Sequence, residues 1–521
     1  MTQSGRKKIR RALISVSKKN GVVELAEFLT QLNIDIISTG GTAQLLKENN
    51  IPVIEVSDYT GHPEMMSGRI KTLHPKIHGG ILARREKDLE ELKTMGVGTI
   101  DLVVVNLYPF PEVVRNPKST PSEIIENIDI GGPTMLRAAA KNHADVTVVT
   151  HNDDYKTVIN ELKNYGGISA STRLRLAEIA FSHTAHYDDA ISNYLAPSGA
   201  SAYPKTLNLQ FHKNSDMRYG ENPHQKAAFY EETNPPPGTI ASAKHIQGKP
   251  LSFNNIVDAD AGLECVHSFE DIACVIIKHG NPCGVAIGKN TEAAYKLAYK
   301  TDPTSAFGGI IAFNRALDGF TAKTIIDNQF VEVVVSPEIN QDAIKVFSAK
   351  PSVRLIESGY PTSETFSQAH YKRVSGGLLI QEYDYLISQE DQFEVVSKKT
   401  PNDEELLDLL FSWKVAKYVK SNAIILAKRQ TTVGIGAGQM SRVDSARIAV
   451  TKAKEQSLQI SGCSMASDAF FPFPDAIETA AKFGISSVIQ PGGSVRDNEI
   501  IESVNKNKMS MIFTGMRHFR H

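Results

Sequence analysis

The stretch RALISVSKKNGVVELAEFLTQLNIDIISTGGT (11–42) decides the fold. RALISVS (11–17) has the length and apolar run of a buried strand, and GVVELAEFLTQLN (21–33) repeats apolar residues at helical spacing. IDIIST (34–39) is a second strand, and the Gly-Gly turn after it leads into a second helix. Working outward, PVIEVS (52–57), IDLVVVNLY (100–108) and VTVVT (146–150) read as further strands. The helix STRLRLAEIAFSHTAHYDDAISNYL (171–195) closes the unit. Alternation of this kind predicts an α/β domain, a parallel sheet with helices on both faces.

APSGASAYPK (196–205) breaks the periodicity with Pro, Gly, Ser and Ala. It predicts a first domain over 1–197, a linker at 198–205 and a second region over 206–521. In that region ACVIIKH (273–279), GGIIAFN (308–314), VEVVVS (331–336), NAIILAK (422–428) and SSVIQ (486–490) read as buried strands with helices between them. The region is long for one core, so two subdomains are expected, dividing near 360–400 where the sequence turns polar and irregular. No short-period repeat is present.

The 521 residues carry 57 basic and 58 acidic side chains, so no overall field exists to grip a nucleic acid or an anionic membrane. With 41% hydrophobic residues the chain can bury large cores, yet no apolar run approaches the roughly 18 residues of a membrane span. MTQSGRKKIRRALISVS lacks a small-residue cleavage site, and the four cysteines form no C-x-x-C pair. A cytoplasmic protein without a disulfide framework is expected, holding any anionic ligand by local clusters.

Several first-domain clusters fit such a ligand. STGGT (38–42) lies between strand and helix, where glycines admit a ligand and free N–H groups attract an anion, although a plain tight turn is the common alternative. GRIKTLHPKIHGGILARR (68–85) packs basic residues around Gly and Pro and reads as a cationic loop. Its two histidines have no matching carboxylate or thiol, so no metal is expected there. NLYPF (106–110) ends a strand, where α/β proteins gather ligand-binding groups. In IDIGGPTMLRAAAKNH (128–143) Pro133 suits a first helical turn, and Arg137 and Lys141 lie one turn apart.

In the second region, MRYGENPHQ (217–225) gathers polar side chains around Gly and Pro, and ACVIIKHGNPCGVAIG (273–288) drives a strand into Lys278-His279. Such a pair can act as proton donor and acceptor, or be a solvated lysine beside a capping histidine. Pro282-Cys283 is similar to part of the zinc-deaminase pattern, but no H-x-E occurs and Ala286 stands at the second cysteine position, so Cys283 is read as a small buried residue. Gly434, Gly436 and Gly438 have the spacing G-x-G-x-G, not the dinucleotide pattern, and are read as a β-turn supporting Gln439 and Arg442. SDAFFPFPD (467–475) is core packing or an aromatic lip for a flat heterocycle. The tail TGMRHFRH (514–521) is either frayed or completes an anion site through Arg517 and His521.

Taken in order, SVS, STGGT, GRIKTLHPKIHGGILARR, NLYPF, IDIGGPTMLRAAAKNH, RYGENPHQ, KHGNPCG, SAFGG, SNAI, GIGAGQMSR, SDAFFPFPD and MRHFRH resemble the bifunctional purine-biosynthesis proteins that join an IMP cyclohydrolase to an AICAR transformylase. The resemblance runs from about residue 11 to the end of the sequence. It implies a methylglyoxal-synthase-like first domain and a C-terminal region of two cytidine-deaminase-like α/β subdomains without zinc, in a homodimer with the transformylase site at the interface. It further implies formyl transfer from 10-formyltetrahydrofolate, as co-substrate, to AICAR, then dehydrative closure of the product FAICAR to IMP. A zinc-type nucleoside deaminase fused to a nucleotide-sensing domain is the competing reading, and it requires bound zinc.

The resemblance also implies roles. Ser15, Ser17, Lys19, Thr39, Gly40, Gly41 and Thr42 match positions around the nucleotide phosphate, with Arg69, Thr72, Asn106 and Gly131 as further substrate contacts. Lys71, Tyr108, Asp129 and Lys141 match the chemistry of ring closure, the first two on the oxyanion and the last two on the proton. In the transformylase Lys278, His279 and Asn422 match the catalytic positions. Arg218, Tyr219 and Arg517 would hold the nucleotide, with Asn222, Gln439, Arg442, Phe470 and His521 lining the site. Lys18 stands where many members carry an acid, Gly309 replaces an acid of the animal-type enzymes, and the segment 450–467 is shorter than theirs.

Overall fold

The computed structural model describes residues 5–196, 203–366, 369–384 and 393–521, so most of the expected linker at 198–205 lies outside the described residues. Two compact units emerge, Met1–Gln210 and Phe211–His521.

The first unit is built on five strands: β1 (Arg11–Val16), β2 (Asp35–Ser38), β3 (Ile54–Glu55), β4 (Leu102–Asn106) and β5 (Thr147–Val149). They are parallel in the order β3-β2-β1-β4-β5. Leu13 pairs with Ile37 on one side and Val103 on the other, and all three are fully buried. Helices cover both faces, as a parallel sheet requires. The helix Val22–Gln31, for example, turns Val22, Leu25, Ala26 and Leu29 inward. The strand order reverses between β1 and β4, which opens a crevice at their carboxyl ends.

The basic segment 68–85 is not wholly a loop: Pro75–Leu82 is helical. Pro75 sits in the first turn and the His74 ring accepts the Lys76 N–H, a start signal masked by the two glycines that follow. Gly80 is required there because a Cβ would lie 2.6 Å from the Gly98 carbonyl oxygen.

The second unit adds the hairpin β6 (His212–Met217) and β7 (Ala227–Glu231), then two six-stranded mixed sheets. The first contains β8 (Lys244–Gln247), β9 (Ala273–Lys278), β10 (Asn281–Ile287), β11 (Gly309–Phe313), β12 (Val331–Ser336) and β13 (Arg354–Glu357) in the order β10-β9-β11-β12-β13-β8. A hairpin of β14 (Ala369–Val374) and β15 (Gly377–Glu382) follows. The second sheet holds β16 (Glu394–Val395), β17 (Ile424–Ala427), β18 (Thr432–Gly436), β19 (Ser464–Ser467), β20 (Ser487–Gln490) and β21 (Ser510–Phe513), ordered β18-β17-β19-β20-β21-β16. The two sheets share one topology, with the same alternation of antiparallel and parallel neighbours. The helices Phe253–Val266 and Asp403–Ala416 are both 14 residues long, begin 150 residues apart, and both carry a capping box, from Ser252 and from Asn402.

Period-two patterning divides each strand between two cores. Val275, Ile277 and Ile425 meet Trp413 and helix Phe253–Val266 in a core common to both sheets, while Ile276 and Leu426 face outer helices. The three glycines of G-x-G-x-G do not form one turn. Gly434 and Gly436 lie within β18, where a Cβ would stand 2.2 Å from the Ala449 carbonyl oxygen and 1.9 Å from that of Ser445. Only Gly438, at φ 66°, serves a turn. The smallness of the first two is a helix-packing requirement.

Candidate active sites

In the first unit the crevice between β1 and β4 collects the expected residues. Asn106 sews the two strand ends together: its Oδ1 accepts from Ser17 N at 2.6 Å and Lys18 N at 3.0 Å. The hydroxyls of Ser15 and Thr39 are 2.9 Å apart, joining the ends of β1 and β2. Thr39 immediately precedes the helix Gly40–Glu48, so Gly40, Gly41 and Thr42 form its exposed N–H turn. Lys19 donates to the Val16 carbonyl at 2.9 Å, close to Thr42 Oγ1, and burial lowers its pKa. Hydroxyls, helix N–H groups and an ammonium in one crevice suit an anionic group.

The chemistry-bearing residues approach from the opposite wall. Lys71 reaches over the glycine turn, its Nζ 3.4 Å from where a Gly40 Cβ would be, and pairs with Glu64 at 3.2 Å. Asp129 Oδ1 accepts the Gly132 N–H at 2.8 Å, and the Tyr108 backbone also hydrogen-bonds its carboxylate. Burial nevertheless raises the Asp129 pKa, outweighing both hydrogen bonds. Gly131 and Gly132 permit this approach, since a Cβ would fall 2.6 Å from Thr72 Oγ1 or 2.5 Å from Asp129 Oδ2. Tyr108 stays half exposed, its ring free to meet a ligand.

Two expectations do not converge here. Lys141 ends the helix Gly131–Lys141, about 15 Å along its axis from the Asp129 end. It shares a shallow groove with Arg137, Leu82 and Phe181, so within one chain it does not reach the carboxylate. Arg69 is exposed and turned onto Glu126, at 3.1 Å through Nε.

In the second unit a cavity of about 1080 Å³ opens beside the β9–β10 turn, lined by His279 and by Lys420, Phe519, Arg520 and His521. Lys278 points elsewhere, its Nζ donating to the Phe307 carbonyl at 2.8 Å. Asn422 Nδ2 donates to the Gln439 carbonyl at 2.8 Å. Arg442 lies between Ser467 Oγ and the fully buried Asp468, at 3.1 Å from each. Its guanidinium faces the Phe519 ring, as does that of Arg517. Phe470, at the expected aromatic lip, is 37% exposed.

The tail is tied down. Arg520 pairs with Glu264 at 2.6 Å, His518 Nδ1 meets Asp384 at 2.7 Å, and His518 N donates to the Asp468 carbonyl at 3.0 Å. Arg218 lies over the Tyr219 ring and donates to its hydroxyl at 2.6 Å, and Asn222 holds Gln225. None of these three lines the cavity, nor do Lys278, Asn422, Gln439, Arg442, Phe470 and Arg517, whereas Glu221 does.

Sequence reasoning missed the acidic wall, Asp258, Asp260 and Glu264, on the helix behind His279. Burial and the Glu264 charge raise the Asp260 pKa against the pull of Arg520. The spacing of Asp260 and Glu264, one turn apart on a helix that also turns apolar residues into the core, was the available signal. Cys283 is buried, and burial raises its thiol pKa to about 12. Among the described residues no group of three or more metal-ligating side chains occurs.

A solved chain titled "Crystal structure of ForH" is 37% identical to this one, over 35% of this chain and 97% of that chain, with a TM-score of 0.33. Residues 21–134 match the MGS-like domain family, which spans most of the parallel sheet. Residues 139–452 match the AICARFT/IMPCHase bienzyme family, running from the last turn of the helix Gly131–Lys141 through the first mixed sheet to β16, β17 and β18 of the second. The protein therefore belongs to the AICARFT/IMPCHase bienzyme family, the bifunctional AICAR formyltransferase and IMP cyclohydrolase of purine biosynthesis.

Proposed function

We propose that the two reactions divide between the two units, ring closure at the Asp129 crevice and formyl transfer at the His279 cavity. The observation that supports this division is that the buried carboxyl of Asp129 and the turn bearing His279, which opens on its own cavity, fall in separate units.

Ring closure joins the carboxamide nitrogen of FAICAR to its formyl carbon and expels the formyl oxygen as water. That water carries away one proton from the carboxamide nitrogen and one from the formamide nitrogen as the ring C=N bond forms. An amide nitrogen is a weak nucleophile, so its proton must leave as the bond forms. Asp129, whose raised pKa suits proton exchange, takes that proton. Lys71 and Tyr108 donate to the formyl oxygen as it gains charge and leaves. Ser15, Ser17, Lys19 and residues 39–42 hold the phosphate, with Arg69, Thr72, Asn106 and Gly131 as further contacts. Lys141 is given no proton step within one chain.

In formyl transfer the AICAR amine attacks the formyl carbon of 10-formyltetrahydrofolate, and the bond from that carbon to the folate nitrogen breaks. His279 takes the amine proton and Lys278 supplies one to the departing nitrogen, which requires the ammonium to leave the Phe307 carbonyl. Asn422 Nδ2 has one hydrogen engaged by Gln439, leaving the second for the formyl oxygen. Gln439, Arg442, Phe470, Arg517 and His521 surround the nucleotide and folate. Arg218, Tyr219 and Asn222 hold the nucleotide, in a homodimer with the transformylase site at its interface. No described helix is long and apolar enough to cross a membrane, and a cytoplasmic homodimer with small-molecule substrates fits this reading.

The test follows folate release and IMP separately in purified protein. Asp129→Asn should lower ring closure about 100-fold or more while formyl transfer continues, so that FAICAR accumulates. His279→Ala should do the reverse and still cyclise added FAICAR. One folded variant that lost both reactions together would sink the division.

A further inference from the structure

The two repeats of the second unit close their first hairpin with the same turn and brace it with the same carboxylate. β9 and β10 pair Lys278 with Asn281 and leave His279 and Gly280 as the loop, at φ 52° and 70°. Arg429 and Gln430, at φ 53° and 50°, close β17 and β18 between Lys428 and Thr431, which exchange backbone bonds at 2.9 and 3.2 Å. Positive φ at both loop residues matches the twist of a hairpin but strains any residue with a Cβ. Each loop is held from behind by the central helix of its repeat. Asp408 accepts from Arg429 N at 2.9 Å and from Gln430 N at 2.6 Å. Asp258, at the equivalent helix position, accepts from Gly280 N at 2.6 Å and is also hydrogen-bonded by the His279 backbone.

The preceding lysines correspond as well. Lys278 donates to the Phe307 carbonyl and Lys428 to that of Ser461, both at 2.8 Å and both beside a glycine of positive φ, Gly308 or Gly462. The copies differ at the first loop residue. His279 opens on the cavity; its counterpart is Arg429. The brace is thus common scaffold, and only one copy presents a group capable of taking a proton near neutral pH.

We propose that Asp258 is the positioning residue of His279, fixing the strained turn so that the imidazole meets the substrate amine and offsetting the charge it gains with the proton. This rests on the reading of His279 as the formyl-transfer base. The second repeat supplies an internal control. Asp258→Ala should lower the kcat of formyl transfer about 100-fold with the KM for AICAR within about twofold, the signature of a misplaced group rather than lost binding. Asp258→Asn keeps an accepting oxygen and should lose only about tenfold, and it serves as the test if the alanine variant does not fold. Asp408→Ala should reduce thermal stability at least as much yet leave kcat within about twofold of the native protein.

Equal kcat losses at Asp258 and Asp408, or native kcat in both Asp258 variants, would overturn the positioning role. His279→Ala separates the two readings. Normal formyl transfer in that variant defeats the base assignment itself. Lost transfer there, with native kcat in the Asp258 variants, defeats only the inference drawn from the brace.

Discussion

Asp129 has two duties that pull its proton in opposite directions. As an acceptor for the Gly132 and Tyr108 N–H groups it is favoured as a carboxylate, while burial favours the neutral acid and prevails. A carboxyl whose pKa is raised in the folded state binds its proton more tightly there than in the unfolded chain. Its contribution to stability is therefore complete below the unfolded value, about 3.9, and is lost as pH rises through the folded value. Asp129→Asn removes that titration. The unfolding temperature of the first unit in this variant, relative to the native protein, should climb as pH rises above about 4. Calorimetry at several pH values checks it, and a difference that shrinks as pH rises contradicts the assignment. At this scale the sequence identified the crevice residues because strand ends and glycine turns announce themselves locally. Lys141 lies far from Asp129 within one chain because a helix extends most of the twelve residues of separation into a rod. The sequence passed over Asp258 because a carboxylate bonded to a turn's backbone leaves no mark in a motif.

At the scale of elements, the strained turns of the second unit make a direct test of local geometry against propensity. Neither Arg429 nor Gln430 is a residue that positive φ favours, and their turn persists because Asp408 accepts both N–H groups. Replacing them by Asn-Gly keeps those backbone donors and relieves the strain. The double change Arg429→Asn with Gln430→Gly should stabilise the second unit by about 1–2 kcal/mol in urea unfolding, without altering formyl transfer. No gain would mean that side-chain contacts of Arg429 or Gln430 contribute as much as the strain costs. The same competition explains where element reading succeeded and failed. Buried β-branched strands were visible from composition alone. The helix Pro75–Leu82 was hidden by Gly79 and Gly80, and the reason for the second, a close carbonyl at Gly98, lies outside the segment. Gly434 and Gly436 resembled a turn because their demand for smallness comes from a helix that follows in sequence and crosses over them.

The whole second unit is a duplication that backbone requirements preserve better than side-chain identity does. What recurs at a separation of 150 is what the chain path needs: Asp258 and Asp408 behind the turns, Lys278 and Lys428 beside them, and Gly284 and Gly434 against helix carbonyls. Between these positions apolar residues have exchanged freely, so the sequence showed two series of strands without showing that they are one pattern repeated.

At the seam the two repeats carry different side chains at one corresponding position. β10 and β18 meet through Val285 N and Thr432 Oγ1 at 2.9 Å, covering what would otherwise be sheet edges. Asp302 and Lys452, at corresponding positions of the two repeats, face each other across this seam at 2.7 Å. Identical residues there would set like charges together. Burial by itself would raise the Asp302 pKa, but hydrogen bonds from Lys452 and Ser305 outweigh it and leave the carboxyl below its ordinary value. A depressed carboxyl contributes stability above its unfolded pKa and loses it as pH falls through the folded value. Lys452→Met should therefore destabilise the second unit by about 1–2 kcal/mol near neutral pH, a figure discounted for the partial exposure of Lys452. The loss should fade as acid neutralises Asp302. Adding Asp302→Asn should recover part of it, because the stranded charge is gone. Urea unfolding of the two single variants and the double closes the cycle, and strict additivity would show that the repeats are joined there by shape alone.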